Sequence, residues 1–378
     1  MSPIIIKTVN HLLHQAIEEE VSSIHCEFTR EAGLSVSWMR HGQLAPIASF
    51  AEPMAEDVKD YLHTLLKWPQ GKILDPKTIS ITTNLGKISL QAWGLATKDG
   101  EKIVLTLKEV GSELIPLDSL GLNNEHLTLL KPAITTNGLV IITGPSGAGK
   151  TTTAYAILSA LNANKANVYS IEKSATQDLP GINQLALPKG LDWTMLFRTL
   201  DKQDADIIYL DINESIPPAH ELTLLATKKL VIVNLDASSM SECLAKLNLG
   251  AGVTKINLII NQALARQLCP HCGFSYQLDQ ATFDELVKDF GILDQDLIGL
   301  DLYHNAGCAT CNHSGYLGHI GLFEMLAPSP ELKQLLANNL SASTKEKINE
   351  EITLSILEDG FIKAFQGLIT VEELKKIA

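Results

Sequence analysis

The sequence predicts an α/β chain in four parts: an N-terminal α+β domain (3–115), an α/β domain with a mainly parallel sheet (116–260), a four-cysteine element (261–325) and a helical C-terminal segment (326–378). Three observations lead there. Amphipathic helices and alternating strands fill the first third. From Gly138 the strands turn uniformly apolar with helical stretches between them, and late in the chain four cysteines fall into two Cys-x-x-Cys pairs.

Val9, Leu12, Leu13, Ala16 and Ile17 share one helical face. Ile24, Cys26 and Phe28 then alternate with Ser23, His25 and Glu27, the period of a half-buried strand. Glu31-Ala32-Gly33 turns the chain into a second such strand, Leu34, Val36 and Trp38. Val58, Tyr61, Leu62, Leu65 and Leu66 form another amphipathic helix, and strands follow at Ile79–Thr83, Ile88–Leu95 and Lys102–Leu107. This α+β unit closes near Pro116.

Leu139-Val140-Ile141-Ile142-Thr143 is an apolar strand bounded by glycine, as in a parallel sheet covered on both faces. Similar strands recur at Val168–Glu172, Asp206–Asp211 and Lys229–Asp236, giving a βαβ series. Beyond Pro328 and Pro330 the chain reads as helix, with Gly360 and Gly367 as breaks.

At 378 residues the chain exceeds one ordinary core, and 45% hydrophobic with 19% charged content marks a soluble globular protein. A net charge of −13 repels phosphate backbones, and no run of Lys and Arg offsets it, so nucleic acid is not an expected partner. The start, Met1 to Lys7, lacks the pattern of a signal peptide, and no apolar run reaches the ~18 residues that span a bilayer. A cytosolic chain is expected, and its paired cysteines read as metal ligands rather than disulfides.

Gly144-Pro145-Ser146-Gly147-Ala148-Gly149-Lys150-Thr151 satisfies G-x-x-x-x-G-K-[S/T] between a buried strand and a helix over Thr151–Leu161. Its glycines let backbone N–H groups converge on phosphate oxygens at a helix N-terminus. The expected ligand is ATP with Mg²⁺: Lys150 reaching the β- and γ-phosphates, the Thr151 hydroxyl on Mg²⁺, and Thr152 completing the first turn. Asp211 closes an apolar strand, where P-loop enzymes place the Asp that holds a Mg²⁺-bound water; a helix cap or a solvent-facing acid is the plain alternative.

Cys269-Pro270-His271-Cys272 and Cys308-Ala309-Thr310-Cys311 supply four soft ligands, the set that tetrahedral structural Zn²⁺ takes. A redox pair or surface thiols are the alternative. The gap between the pairs has room for a helix near Ala281–Phe290, and His271 and His313 are substitute ligands.

Together these features resemble the type II secretion and type IV pilus assembly ATPase family, of the extension-motor kind. The likeness runs through Val9-Asn10-His11-Leu12-Leu13, Ser23-Ile24-His25, Leu117–Gly121 and the P-loop. It continues in Leu179-Pro180-Gly181-Ile182-Asn183-Gln184, Gln203 to Ile208, Leu268 to Cys272, Gly318 to Glu324 and Glu358-Asp359-Gly360 to Gln366-Gly367. The resemblance implies a RecA-like motor domain, a homo- or hetero-hexameric ring, and a cytoplasmic protein peripheral at the inner membrane, docked on a platform protein there.

Departures from the family pattern fall on its catalytic positions. Where the family has Glu-Asp-Pro-Val-Glu this chain reads Glu172-Lys173-Ser174-Ala175-Thr176, and Thr176 cannot act as a base near neutral pH. Ile212 replaces a carboxylate, Lys229 and Asp236 fall on the family's two histidines, and Ser37, Met39 and Gln91 stand where arginines would reach a neighbour's phosphates. Glu172 and Glu214 are the stand-in carboxylates. Two functions follow: a motor that powers pilin or pseudopilin assembly or protein secretion, or a weakly hydrolysing partner of a complete homologue. A P-loop phosphotransferase is disfavoured by the four-cysteine element.

Overall fold

The computed structural model describes residues 3–19, 21–29, 31–40, 43–68, 74–83, 86–109, 114–162, 166–173, 175–187, 190, 192–213, 215–290, 297–338 and 340–377. The chain divides into two compact units, Met1–Glu113 with Thr176–Asp178, and Leu114–Ala175 with Leu179–Ala378.

The first unit is built from α1 (Pro3–Glu18), β1 (Ser23–Thr29), β2 (Gly33–Arg40), β3 (Gln43–Phe50), α2 (Met54–Leu66), β4 (Leu74–Thr83), β5 (Gly86–Thr97) and β6 (Gly100–Glu109). Its strands form an antiparallel sheet in the order β3-β2-β1-β6-β5-β4. Period-2 alternation puts Ile24, Cys26, Phe28, Leu34, Val36 and Trp38 on one face. The stripes Ile5, Val9, Leu13, Ala16 of α1 and Val58, Leu62, Leu66 of α2 close over them in one core. β3 has no counterpart among the strands expected from the sequence. It is an edge strand carrying Pro46, with Leu44 and Ile47 exposed, so no alternation marks it.

The second unit runs α3 (Asn124–Ala133), β7 (Gly138–Gly144), α4 (Lys150–Asn162), β8 (Val168–Glu172), β9 (Asn183–Ala186), α5 (Trp193–Lys202), β10 (Ile207–Asp211), α6 (Ala219–Lys228), β11 (Leu230–Asp236), α7 (Met240–Leu247) and β12 (Ile256–Leu268). It continues through β13 (Gly273–Gln277), α8 (Gln280–Phe290), β14 (Asp301–Asn305), β15 (Tyr316–Leu326), α9 (Pro330–Asn338), α10 (Ala342–Glu351), α11 (Ile356–Phe365) and α12 (Val371–Leu374). The large sheet has the order β15-β12-β7-β11-β10-β8-β9 and is parallel except at β15. Helices cover both faces. Leu139 and Ile141 of β7 enter the core shared with α5, α6 and α7, while Val140 and Ile142 enter the one shared with α3 and α4. Each such residue stabilises the unit by about 1.5–3 kcal/mol.

β12 runs through residue 261, where the sequence reading divides the P-loop domain from the four-cysteine element, and it pairs with β7 on one side and β15 on the other. What stands apart from the sheet is the short hairpin β13–β14 with α8. The C-terminal helices pack back on it: Phe361, Ala364, Ile369 and Leu374 share a core with Ala265, Leu278, Phe283 and Leu302. Gly360 is not a break. It lies inside α11 because a Cβ there would sit 2.2 Å from Leu374 Cδ2, so its role is close helix packing. Gly367, with φ +72°, does follow a helix end.

Candidate nucleotide-binding site and metal centre

All of β7 is buried, so the sheet delivers the loop after it to one fixed place. At Gly144 the backbone takes φ +144°, and a Cβ would lie 2.3 Å from the Gln262 carbonyl oxygen, which only glycine permits. Gly147 and Gly149 adopt left-handed φ of +82° and +83°. Pro145, Ser146 and Gly147 face outward, Ala148 is buried, and α4 begins at Lys150. The loop therefore covers a helix N-terminus whose free N–H groups favour an anion.

Lys150 is 6% exposed, and its Nζ donates to the carbonyls of Gly144 (3.1 Å) and Pro145 (2.7 Å) and pairs with Asp236 Oδ1 at 2.7 Å. Asp236 ends β11 directly opposite Gly144 in the parallel ladder. Asp211 ends β10, and its Oδ1 accepts from the backbone N–H (3.3 Å) and Nδ2 (3.0 Å) of Asn213. Burial raises the Asp211 pKa and the Asp236 charge adds to the shift, while Lys150 opposes it. Thr151 bonds the buried Tyr209, whose hydroxyl also accepts from Asn234 Nδ2 at 2.6 Å. Thr152 is exposed in the first turn of α4.

Glu172 is placed differently. It is 2% exposed, and its carboxylate accepts from Tyr155 Oη (2.7 Å) and Ser170 Oγ (2.9 Å). Burial pushes its pKa up. Lys150, Thr151 and Asp211 are thus brought to one end of the sheet with the loop, and Glu172 ends β8 at that same end, beside Asp211, with its carboxylate turned to Tyr155 of α4. Glu214 lies outside the described residues. Ile212 is fully buried among apolar neighbours, and Lys229 sits at the far end of β11, with Nζ donating to Ala205 O at 2.6 Å. Of the two positions where the resemblance puts histidine, only Asp236 reaches the loop.

Two loop partners escaped the sequence reading. Gln262, 1% exposed on β12, donates from Nε2 to the Ala148 carbonyl at 2.6 Å and props the loop from below. Asn213 ties the site together, because its Oδ1 accepts the Asp236 N–H at 2.5 Å while its amide donates to Asp211. The polar pair Asn261-Gln262 interrupting the apolar run Leu258–Leu264 is the signal that points to the first; nothing local points to the second.

The four sulfurs of Cys269, Cys272, Cys308 and Cys311 lie within 4.8 Å of one another, the one such cluster among the described residues. Sγ–Sγ separations are 3.9 Å for Cys269–Cys308 and 3.7 Å for Cys272–Cys311 and Cys308–Cys311. A tetrahedral Cys₄ zinc site with Zn–S bonds near 2.3 Å has edges of about 3.8 Å, so the donor set fits that ion. Two turns shape the corners: Gly273 N–H bonds Cys269 O, and His313 N–H bonds Cys308 O. Burial opposes ionisation of Cys311, but the N–H groups of Cys308 and Gly315 pull its pKa down to about 6, while burial and the other three sulfurs push that of Cys272 up to about 12.

The chain is 27% identical to the type II secretion system ATPase E of Vibrio cholerae over 99% of its own length and 75% of that protein's. It is 29% identical to the type IV pilus assembly ATPase PilB of Pseudomonas aeruginosa over 99% of its length and 67% of that protein's. In fold it is similar to the Legionella pneumophila ATPase DotB (TM-score 0.67, 16% identity, 100% and 96% of the two chains). The pilus retraction motor PilT with bound ADP is a further neighbour (TM-score 0.64, 15% identity, 98% and 96%). The model of the type II/IV secretion system protein family matches residues 2–376, and the chain belongs to that family.

Proposed function

We propose that this chain is a nucleotide-binding subunit of a type II secretion or type IV pilus assembly machine, taking MgATP on the loop Gly144–Thr151. The observation that carries it is the glycine cradle at the N-terminus of α4 with Lys150 buried beside it. Thr151 and Asp211 would hold Mg²⁺, which supplies charge neutralisation of the β- and γ-phosphates when bound. The loop amides orient the phosphate tail, and Gln262 keeps the loop from collapsing. The four cysteines would hold a structural Zn²⁺ that closes the base of the β13–β14 hairpin. Partners follow from family membership: a hexameric ring, homo- or heteromeric, at the cytoplasmic face of the inner membrane on a platform protein. The division into an α+β domain, a RecA-like domain, a zinc element and a helical tail is part of the same proposal.

Of the two functions, motor or weakly hydrolysing partner, the surroundings of Glu172 favour the second. Its carboxylate is already taken by Tyr155 and Ser170, and the neighbouring Ile212 offers no base. MgATP binding in the micromolar range with hydrolysis well below ~10 s⁻¹ is expected. Steady-state hydrolysis by the wild type and by Lys150→Ala, alone and mixed with a complete homologue, tests this. Rapid turnover by the pure chain, lost in Lys150→Ala, would sink the weak-hydrolysis reading. No heat on titrating MgATP into folded protein would sink nucleotide binding itself.

A further inference from the structure

An ammonium group has three N–H donors. Those of Lys150 meet Gly144 O, Pro145 O and Asp236 Oδ1, so the lysine that serves the phosphates is fully partnered by the protein. The Asp236 backbone is fixed on every side. It pairs with Gly144 across the β11–β7 ladder, its N–H is held by Asn213 Oδ1, its carbonyl accepts from Lys246 Nζ at 2.8 Å, and the next N–H, of Ala237, bonds Gly144 O at 3.2 Å. The backbone of Asp236 thus stays beside the loop, and only rotation of the side chain can take the carboxylate off Lys150. Its side chain is nonetheless 42% exposed against 6% for Lys150, so it stands between the ammonium and solvent. Asp211 lies close enough for its pKa to feel the Asp236 charge, and a second negative group thus borders the same lysine.

We propose that Asp236 is a built-in competitor for the terminal phosphate, setting the loop's preference toward nucleoside diphosphate over nucleoside triphosphate. A β-phosphate would draw on the loop amides as well as Lys150, so a diphosphate depends on the lysine less than a triphosphate does. A γ-phosphate must take Lys150 from Asp236 and then lie beside the displaced carboxylate, and like charges at that spacing repel. Sequence reading alone marks position 236 as a replaced family residue; the ion pair is what gives the replacement a chemical consequence. The inference rests on the P-loop binding nucleotide at all.

Calorimetric titration of the full chain with MgADP and with MgATP, comparing wild type, Asp236→Asn and Asp236→Ser, tests it. Both substitutions keep the backbone bonds, and thermal melts report whether each variant is folded. Neutralising the carboxylate should tighten MgATP by about tenfold and change MgADP by less than about threefold, the scale of one partly buried ion pair. Equal shifts for the two nucleotides overturn the inference, as does weaker MgATP binding, which would make Asp236 a metal-side ligand instead. Wild type that binds neither nucleotide removes the reading beneath it, whereas wild type that binds both with a ratio unmoved in the variants removes only the role of Asp236.

Discussion

The hydroxyl of Tyr155 donates to the Glu172 carboxylate across 2.7 Å, in a pocket where Glu172 is 2% exposed. Burial raises the Glu172 pKa; the bonds from Tyr155 and Ser170 oppose the rise, and the charge of Asp211 adds to it. A carboxylate whose folded-state pKa lies above its unfolded value holds its proton more tightly in the native state. Its charged form therefore costs stability as pH rises through the folded pKa, and the cost disappears on acidification. Relative to Glu172→Gln, the wild type should gain stability as pH falls from neutral toward the ordinary carboxylate pKa of about 4.3. Urea midpoints of the two proteins at both ends of that range check the sign; a constant difference would show that Glu172 is not protonated on burial.

Two glycines of the loop should respond differently to alanine. At Gly147 a Cβ would meet nothing within 4 Å, leaving only the left-handed φ, so Gly147→Ala should cost about 1–2 kcal/mol. At Gly144 the same atom would press to 2.3 Å on the Gln262 carbonyl oxygen, backbone that cannot swing aside. Gly144→Ala should cost more than about 3 kcal/mol and abolish nucleotide binding. Chemical denaturation of the pair gives the comparison, and similar losses would count against the close approach of β7 to β12.

Gln262→Leu removes the donor to Ala148 O while keeping most of the buried volume. An unpaired buried carbonyl costs about 1–3 kcal/mol, so a comparable loss of stability is expected. MgATP affinity should fall too, because the loop loses its floor. Retained affinity with lowered stability would confine Gln262 to a structural role.

Cys269→Ser should release zinc on elemental analysis and loosen the β13–β14 hairpin, seen as faster amide exchange there, while nucleotide binding stays within about threefold of wild type. Wild-type protein purified without chelator and free of zinc would overturn the metal assignment.

How much was legible beforehand depended on whether the signal was local. β7 and the loop announce themselves because a fully apolar strand, a glycine pattern and a helix start lie within one short stretch. The cysteine pairs are likewise local at each corner. β3 and β9 are edge strands with largely exposed side chains, so neither alternation nor an apolar run marks them. The orientation of Glu172 is set by Tyr155 on another element, and the pairing of Lys150 with Asp236 by the register of β11 on β7. Both are tertiary facts with no trace in the spacing of either residue. Gly360 misled for the same reason, since its partner Leu374 comes from the following helix.

β12 carries the prop of the nucleotide loop, and the first sulfur of the metal cluster follows one residue past its end, seven positions after Gln262. From Gln262 to Arg266 the strand pairs residue by residue with β15, and the register then shifts before Leu268, so a residue inserted or deleted between Gln262 and Cys269 would move one centre relative to the other. The spacing between loop and metal cluster is thereby set by the length of one short stretch of backbone.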